Sequence, residues 1–526
     1  MKRWYERGLF LVFLLAIGLI GMLSRSLPPA DPWSRPLAPV GRGLSTRAYL
    51  ARSYVRPAEP RLPAGFAAAG LPLGGLTLAE AWARLEQQRI APLRQPLPLR
   101  LAGEPLLFDA SAAVLQIDAA PIHERMVELL RDWPPHPRAI YLGSGLEPAA
   151  AAHEHVPLAL AVDEAAVREE LAALAGRFRQ DPVSLTTTTL TTGTVLADLG
   201  VDPYWMDGQP VVAFVAPVPG WGLDEEAALA AITAALPRWR REPLTLTLQE
   251  IAPPEPDMAL LEAALRGQLE EIPAVVGILV HDLRTGGEVA VHARTVFSGA
   301  SVIKIAILLQ AYRTLDGPPG AAVARDLESM MINSDNAAAN RLMAVGGEGD
   351  APRGLQRMAE MLRLLGLPDS FLCNTYDGGP RWPGCPPAGR PAGAGEMETD
   401  PDEVLQTTPR DMGLLLVYLY ECAAGRGPLL EELAGEVTAR ECQDMVALMR
   451  RNADVNRLVS GVPDIPVAHK SGWIDDMKAD AGIVFSPGGD YVVSIFIWQE
   501  GILSERESSH WIARLSWIVY SFFNPL

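Results

Sequence analysis

The chain has 526 residues, of which 49% are hydrophobic and 21% are charged, and its formal net charge is -18 at pH 7. This length predicts about two to four domains, and the composition is typical of a globular protein and excludes a disordered one. The acidic excess argues against a nucleic-acid partner, because nucleic acid requires a basic binding face.

Residues 1–25 predict an export signal or a membrane anchor. Lys2, Arg3 and Arg7 precede an apolar run at residues 8–23, which is long for the core of a cleaved signal peptide and slightly short for a spanning helix. No convincing cleavage site and no lipid-accepting cysteine follows this run. We therefore expect an uncleaved single-pass membrane helix, with the rest of the chain outside the cytoplasm.

A linker and a first domain follow. Residues 26–47 are rich in proline and have no apolar period, which predicts a semi-extended linker. Residues 48–251 predict a separate α+β domain without a catalytic constellation. Within it, residues 76–87 have the period of a helix with Thr77 as its N-cap. A Pro-Leu-x-Leu alternation predicts three half-buried strands, at residues 96–101, 157–162 and 243–248.

The polar residues of this region have ordinary structural explanations. Residues 186–192 are nearly all threonine, which predicts an exposed strand. The histidines lack the spacing and the further ligands of a metal site: His123, His136, His153 and His155. We expect neither a metal nor a cofactor in this protein.

Two stretches of the first domain resemble a known family. They are Gly74-Gly-Leu-Thr-Leu-Ala-Glu-Ala-Trp-Ala-Arg-Leu85 and Leu160-Ala-Val-Asp-Glu-Ala-Ala-Val167. Together with the strand after the first stretch, they are similar to the domain assigned to peptidoglycan binding in vancomycin-resistance W-type proteins. The resemblance implies a cell-wall binding role without indicating a particular residue.

A second domain is predicted at residues 258–526, after the proline-rich linker at 252–257. It begins with a helical stretch at 258–272. Alternating and apolar runs predict strands, and the chain closes with an amphipathic helix at 510–523. The predicted strands are at residues 274–281, 287–292, 481–486 and 491–498.

Ser301 and Lys304 have Ser-x-x-Lys spacing, where a glycine-containing turn gives way to an apolar helical run. Positions three apart share a helix face, so the amine can reach the hydroxyl, which is a poor nucleophile until a neighbouring base takes its proton. In the first helical turn, Ser301 would also lie at the positive end of the helix dipole. Lysine is scarce in this chain, and a lysine on an apolar helix is costly to bury without a function. Alone, the pattern is equally consistent with a surface serine and lysine.

Two further short motifs follow along the chain. Ser334, Asp335 and Asn336 form Ser-Asp-Asn before an alanine-rich helix, where short polar side chains can also act simply as caps. The run Val467-Ala-His-Lys-Ser-Gly-Trp473 predicts a strand that contains a lysine, and a glycine there lets another backbone approach closely.

Ser-x-x-Lys, Ser-Asp-Asn and Lys-Ser-Gly in this order are the signature set of penicillin-recognising serine enzymes. Ser334-Asp-Asn-Ala-Ala-Ala-Asn340 and Thr407-Thr-Pro-Arg-Asp-Met412 resemble class A β-lactamases in particular. The second segment is also a good helix start, with Thr408 as cap and Pro409 at the first position. The resemblance covers residues 258–526. It implies an α+β fold with a β-lactamase/transpeptidase-like antiparallel sheet flanked by helices, after a separate α+β domain and the membrane helix.

The resemblance implies acyl transfer through a serine ester. Ser301 would be the nucleophile and Lys304 its proton acceptor. Ser334 would pass the proton to the leaving nitrogen, while Asn336 would help to hold Lys304 and the substrate amide.

The third motif would bind the substrate. Lys470 and Ser471 would bind its carboxylate, and Gly472 would allow the close approach. The backbone N–H groups of Ser301 and Trp473 would form the oxyanion hole, a feature typically worth about a hundredfold or more in rate.

One part of the family pattern is missing. Class A enzymes have a Glu-x-x-Leu-Asn loop whose carboxylate activates the deacylating water, and residues 367–407 contain no such motif. Loop carboxylates that could replace it are more simply read as solvated: Glu396, Glu398, Asp400, Asp402 and Glu403. Acylation is therefore better supported than rapid turnover.

The four cysteines lie in the second domain, and outside the cytoplasm an even number favours disulfides. We expect Cys373 to pair with Cys385 inside the long loop, and Cys422 with Cys442 across a helical hairpin. No Cys-x-x-Cys pair indicates a metal, and His469 is read as a strand residue beside Lys470.

Two hypotheses follow. The first is a membrane-anchored, extracytoplasmic serine hydrolase that acts on a β-lactam or a D-Ala-D-Ala peptide. The second is a non-catalytic peptidoglycan-binding protein with a degenerate β-lactamase-like domain. Retention of two buried lysines at the motifs favours the first, and the missing glutamate favours the second or a slow peptidase.

Overall fold

The structure is a computed structural model that describes residues 59–131, 153–190, 200–201, 209–238, 241–386 and 397–526. The predicted membrane helix and the linker, residues 1–47, lie outside this part. In the described residues, no helix is long and apolar enough to cross a membrane. Two compact units divide the chain, one at residues up to 91 together with 117–159, and one at 92–116 together with 160–526.

The strands, in chain order, are β1 (Phe66–Ala68), β2 (Leu71–Pro72), β3 (Leu97–Leu101), β4 (Glu104–Phe108), β5 (Leu115–Asp118), β6 (Glu154–Val156), β7 (Ala159–Val162), β8 (Thr186–Leu190), β9 (Val211–Val215), β10 (Gly220–Leu223), β11 (Leu244–Leu246), β12 (Leu248–Ile251), β13 (Val275–Asp282), β14 (Glu288–Val291), β15 (Phe297–Ser298), β16 (Phe371–Leu372), β17 (Leu405–Thr407), β18 (Val467–Trp473), β19 (Met477–Val484) and β20 (Tyr491–Trp498).

The α-helices are α1 (Leu78–Leu85), α2 (Ala91–Leu93), α3 (Ala120–Arg131), α4 (Glu164–Phe178), α5 (Glu225–Ala235), α6 (Met258–Leu269), α7 (Lys304–Tyr312), α8 (Ala321–Asn333), α9 (Asn336–Gly346), α10 (Ala351–Leu364), α11 (Pro409–Ala423), α12 (Pro428–Glu432), α13 (Ala439–Met449) and α14 (Glu505–Phe523).

The smaller unit contains a short sheet and the helix predicted near its start. β1 pairs with β2 antiparallel and with β6 parallel. Thr77 caps α1 as predicted, because its hydroxyl accepts from the Glu80 N–H while the Glu80 carboxylate accepts from the Thr77 N–H. His155 has a local structural role, since its Nε2 accepts the Gly70 N–H at 2.9 Å.

The larger unit begins with short sheets that only partly match the predicted strands. β3 confirms the first Pro-Leu-x-Leu strand, but the second strand starts late, at Ala159, and the third is interrupted at Thr247. β11 and β3, from the third and first of these runs, pair in parallel. β8 confirms an exposed threonine strand at residues 186–190, and residues 191–192 lie outside the described part.

The predicted antiparallel sheet flanked by helices is confirmed in the second half of the chain. Its strand order is β14-β13-β20-β19-β18, and every neighbouring pair is antiparallel. One core packs Val492 and Phe496 of β20 with α7, α9 and α11, while the other packs Val493 and Ile495 with α6 and α14. Because both faces are covered, β20 is apolar along nearly its whole length. This apolar run allowed the strand to be predicted from the sequence.

Two predicted boundaries are wrong for identifiable reasons. β19 begins at Met477 instead of residue 481, because buried Lys478 and Asp480 interrupt its apolar pattern. α14 begins at Glu505 instead of residue 510, because its start is polar and depends on a cap, the Ser504 hydroxyl that accepts the Glu507 N–H.

Both predicted disulfides are present. Cys373 joins Cys385 within the loop after β16, with 5.6 Å between their Cα atoms. Cys422 joins Cys442 and so connects α11 to α13, with 5.8 Å between Cα atoms. Cys373, Cys422 and Cys442 lie in the same hydrophobic core as α7.

Candidate active site

Ser301 lies in the turn between β15 and α7, and not in the first turn of a helix as predicted. The helix begins at Lys304, whose N–H donates to the Ser301 carbonyl at 3.2 Å. The turn therefore keeps the three-residue spacing that brings the two side chains together. Ala300, just before it, has a φ of 39°, a left-handed conformation that residues with a Cβ rarely adopt.

The Lys304 amine lies at the centre of the site. Its Nζ is 2.9 Å from Ser301 Oγ, 2.6 Å from the Ser334 carbonyl oxygen and 2.6 Å from Asn336 Oδ1, with Ser334 Oγ at 3.2 Å. The two oxygens at 2.6 Å can only accept, so they fix two N–H bonds of the amine. The remaining valence of Nζ is then available to the Ser301 hydroxyl, the nearer of the two serine hydroxyls.

The surroundings of Lys304 favour its neutral form. The side chain is fully buried, and burial together with the charge of Lys470 lowers its pKa to about 7, although Asp335 opposes this shift. A neutral amine has a lone pair that can accept the proton of the Ser301 hydroxyl. The pair can therefore act as nucleophile and base near neutral pH.

The Ser-Asp-Asn motif combines a capping role with a role at the site. Ser334 ends α8 with a φ of 58°, and this left-handed turn directs its carbonyl and hydroxyl toward Lys304. Asp335 is the N-cap of α9, where its Oδ1 accepts from the Ala337 and Ala338 N–H groups. The predicted capping function is confirmed for Asp335, while Ser334 and Asn336 contact the amine.

The third motif forms the edge strand of the main sheet, β18. A Cβ at Gly472 would lie 2.9 Å from both the Ser301 and Val302 backbone nitrogens, so the predicted close approach is confirmed. The Ile474 N–H donates to Met477, and bonded pairs alternate along an antiparallel ladder. The Trp473 N–H therefore points off the sheet edge, away from β19.

Lys470 and Ser471 are both buried on β18. Lys470 Nζ donates to the Ser471 carbonyl at 2.7 Å, and burial lowers its pKa to about 8 although Asp480 and Asp454 oppose the shift. The Ser471 hydroxyl lies near the Asp454 carboxylate and helps to lower its pKa. His469 is a buried strand residue as expected, with its Nδ1 2.9 Å from Asp480 Oδ1.

Sequence reasoning missed Tyr376, which covers the amine. Its ring centroid is 4.7 Å from Lys304 Nζ, and its hydroxyl donates to the Ala300 carbonyl at 2.9 Å. Burial raises the pKa of Tyr376, so the hydroxyl keeps its proton and remains a donor. The Tyr376 N–H donates to Asn340 Oδ1, which connects the loop after β16 to α9. No spacing or motif in the sequence indicates these contacts.

A cleft of about 800 Å³ adjoins Lys470 and Ser334. Asp454 and Arg457 line it from the segment before β18, and Glu505 lines it from the start of α14. These charged residues were also missed, because they lie outside the three motifs. Trp473, whose exposed fraction is 62%, lines the cleft at the other end of β18.

Four of the loop carboxylates considered as a deacylating base are exposed: Glu398, Asp400, Asp402 and Glu403. Glu396 lies outside the described residues. Asp402 Oδ1 accepts the Val404 N–H, and Glu403 pairs with Arg381 at 3.6 Å. Their environment agrees with the interpretation as solvated loop residues.

Comparison with known proteins identifies the family. The model of the Beta-lactamase2 family, described as the β-lactamase enzyme family, matches residues 260–318 and 317–523, which is half of the chain. The chain belongs to this family. No curated protein sequence matches it.

Solved structures of related fold are similar at low identity. A mutant of PBP-A, as an acyl-enzyme complex with penicillin G, is 21% identical with a TM-score of 0.40, covering 52% of this chain and 100% of that chain. The β-lactamase from Sphaerobacter thermophilus DSM 20745 is 20% identical with a TM-score of 0.39, covering 51% and 99%. The class A β-lactamase from Mycobacterium abscessus is 16% identical with a TM-score of 0.37, covering 49% and 97%.

The contact at Gly472 predicts the effect of adding a methyl group. In Gly472→Ala the new Cβ would overlap the backbone nitrogens of Ser301 and Val302, so β18 has to move away from the turn. We expect the free energy of unfolding, measured by denaturant titration, to fall by about 1–3 kcal/mol. Gly267→Ala is the control, because a Cβ there on α6 meets no atom within 4 Å and should be neutral or stabilising. Equal stability of Gly472→Ala and the unmutated protein would contradict the close approach.

Proposed function

We propose that this protein is an extracytoplasmic serine hydrolase of the β-lactamase/DD-peptidase class, which forms an acyl-enzyme from a β-lactam or a D-Ala-D-Ala peptide. The observation that supports this most directly is the buried Lys304 amine at 2.9 Å from Ser301 Oγ, oriented by two carbonyl-type oxygens. A buried lysine with a purely structural role is expected to pair with a carboxylate. Such a pair would keep the amine protonated, so that it could not act as a base.

In the proposed reaction, neutral Lys304 takes the proton of Ser301 Oγ as this oxygen attacks the substrate carbonyl. The N–H groups of Ser301 and Trp473 stabilise the oxyanion. Ser334 Oγ, which shares the Lys304 amine at 3.2 Å, passes a proton to the leaving nitrogen. Asn336 holds Lys304 and binds the substrate amide. Lys470 donates a hydrogen bond to the polar group of the substrate on the leaving-group side of the scissile bond.

Deacylation is proposed to be slow. Rapid hydrolysis of the ester requires a base for the incoming water. The described carboxylates of the loop before β17 are exposed, and two of them, Asp402 and Glu403, are occupied by local contacts. We therefore place the protein nearer to a penicillin-binding peptidase than to an efficient β-lactamase.

The amino-terminal part is proposed to determine location. The basic residues before the apolar run at 8–23 support a single-pass anchor in the cell membrane. The resemblance of residues 48–251 to a wall-associated domain supports binding to peptidoglycan beside the hydrolase. Export would also allow the two disulfides to form and persist.

A non-catalytic peptidoglycan-binding protein is the competing function. It is favoured by the exposed position of the loop carboxylates, which leaves the family's hydrolytic step without an evident base. The two functions differ in one observable property, covalent modification of Ser301.

Intact-mass measurement after incubation with penicillin G tests the proposal. We expect a long-lived adduct on the protein, none on Ser301→Ala, and an undiminished adduct on Ser111→Ala, which removes a hydroxyl distant in sequence from the motifs. Drug hydrolysis without an accumulating adduct would contradict slow deacylation. Absence of an adduct from both penicillin and an uncharged thioester of an acyl-D-alanine would support the non-catalytic function.

The two lysine pKa values predict a narrow pH optimum for acylation. The rate should rise with pH to about 7, where Lys304 becomes neutral, and fall above about 8, where Lys470 loses the charge that makes it a strong donor. The second-order rate constant of adduct formation, measured across this range, checks both limbs. In Lys470→Arg the side chain stays charged across this range. Its acylation rate should still rise to about pH 7 but should not fall above about pH 8. A rate of the unmutated protein that still rises up to the ordinary lysine pKa would contradict a neutral Lys304.

A further inference from the structure

The cleft beside Lys470 contains a carboxylate that belongs to the protein itself. Asp454 lines this cleft together with Lys470, Ser471 and Ser334. Its carboxylate forms an ion pair with Arg457 Nη1 and accepts the Asn456 N–H. The side chain of Asp454 is 24% exposed, so a ligand in the cleft can reach it.

The positive charge of Arg457 is already neutralised by carboxylates of the protein. This side chain is only 2% exposed, and besides Asp454 it binds Glu505 Oε1 through Nη2 at 2.5 Å. Arg457 therefore has no uncompensated charge to offer to an anionic ligand. The cations of the cleft lining are matched in number by its carboxylates: Arg457, Lys470 and Lys478 against Asp454, Asp475 and Glu505.

Asp454 is ionised at neutral pH. Burial alone would raise the pKa of its carboxyl, but Arg457, the Ser471 hydroxyl and the Asn456 N–H outweigh this and lower it. The Asn456 N–H donates to Oδ1 at 3.3 Å. A carboxylate offers about four lone-pair sites, and the bonds from Arg457 and Asn456 leave room for a ligand donor.

A substrate carboxylate fits this subsite poorly. The Ser471 hydroxyl lies close enough to the ionised Asp454 to lower its pKa, so the Asp454 charge adjoins a group that such a carboxylate would contact. Like charges in a partly buried site repel strongly because screening by water is reduced. Lys470 remains as a donor, since its Nζ uses one hydrogen for the Ser471 carbonyl.

We propose that Asp454 makes this subsite select an amide in place of a carboxylate on the leaving-group side of the scissile bond. Lys470 donates to the amide carbonyl, and Asp454 accepts the amide N–H. The inference rests on the proposed acyl transfer at Ser301. An amide at this place has two chemical sources, a terminal primary carboxamide or a peptide bond that continues the chain.

Three thioesters of one acyl-D-alanine separate these cases. Their leaving thiols are mercaptoacetate, mercaptoacetamide and N-methyl mercaptoacetamide, which represent a carboxylate, a primary carboxamide and a continuing peptide. In each reaction the Ser301 Oγ–acyl bond forms, the carbon–sulfur bond breaks, and the thiolate takes the proton delivered by Ser334. Thiol release and intact mass report the rate of acylation.

We expect the unmutated protein to react at least about tenfold faster with one of the amide thioesters than with the carboxylate, a difference of about 1.4 kcal/mol. A faster primary amide would indicate a terminal carboxamide, and a faster N-methyl amide a continuing peptide. In Asp454→Asn, which keeps the shape and removes the charge, the ratio of the carboxylate rate to the amide rates should rise at least about tenfold. Asp444→Asn, at an ion pair with Arg440 on α13, is the control and should leave the order unchanged.

The outcomes separate this inference from the function on which it rests. If no thioester acylates Ser301, the proposed function is wrong and the inference fails with it. If the unmutated protein acylates but reacts equally well or better with the carboxylate, only the role of Asp454 is overturned. The same conclusion follows if Asp454→Asn leaves the ratio of rates unchanged. The comparison in the unmutated protein decides the matter even if the variant does not fold.

Discussion

The site depends on the burial of one lysine amine. An amine removed from water needs hydrogen-bond partners, and Lys304 Nζ finds them on the turn before α7 and at the junction of α8 and α9. Several features of the fold bring these hydrogen-bond partners to the Lys304 amine. Ala300 and Ser334 adopt left-handed conformations, and Gly472 lacks a side chain where β18 meets the Ser301 turn. Tyr376 covers the amine and fixes the Ala300 carbonyl.

The main sheet holds these parts in place because it is packed on both faces. Its edge strand, β18, presents backbone groups that β19 does not bind, and Lys470 lies on the same strand. Membership of the β-lactamase enzyme family agrees with this arrangement. The chain departs from the class A pattern at one place that bears on function, because the loop before β17 lacks the expected glutamate.

The sequence predicted the site where its residues are close along the chain or form short motifs. Ser301 with Lys304, and Ser334 with Asn336, could be recognised from spacing, and the apolar run of β20 indicated its strand. Tyr376 could not, because its contacts with Ala300 and Lys304 join segments far apart in the chain. Asp454 could not, because it lies outside the three motifs and its residue type alone suggests no role. β19 was predicted too short because buried Lys478 and Asp480 hide its period. The wall-binding interpretation of residues 48–251 stays a prediction.

The most direct test of the account is a measurement of the Lys304 pKa. The chain has four lysines, Lys2, Lys304, Lys470 and Lys478, so NMR titration of protein labelled at the lysine ε-carbon should give few signals. The account predicts one signal with a midpoint at about 7, absent from Lys304→Arg, and a second at about 8 from Lys470. If every lysine instead titrated near the ordinary value of 10.5, Lys304 would be protonated at neutral pH and could not activate Ser301.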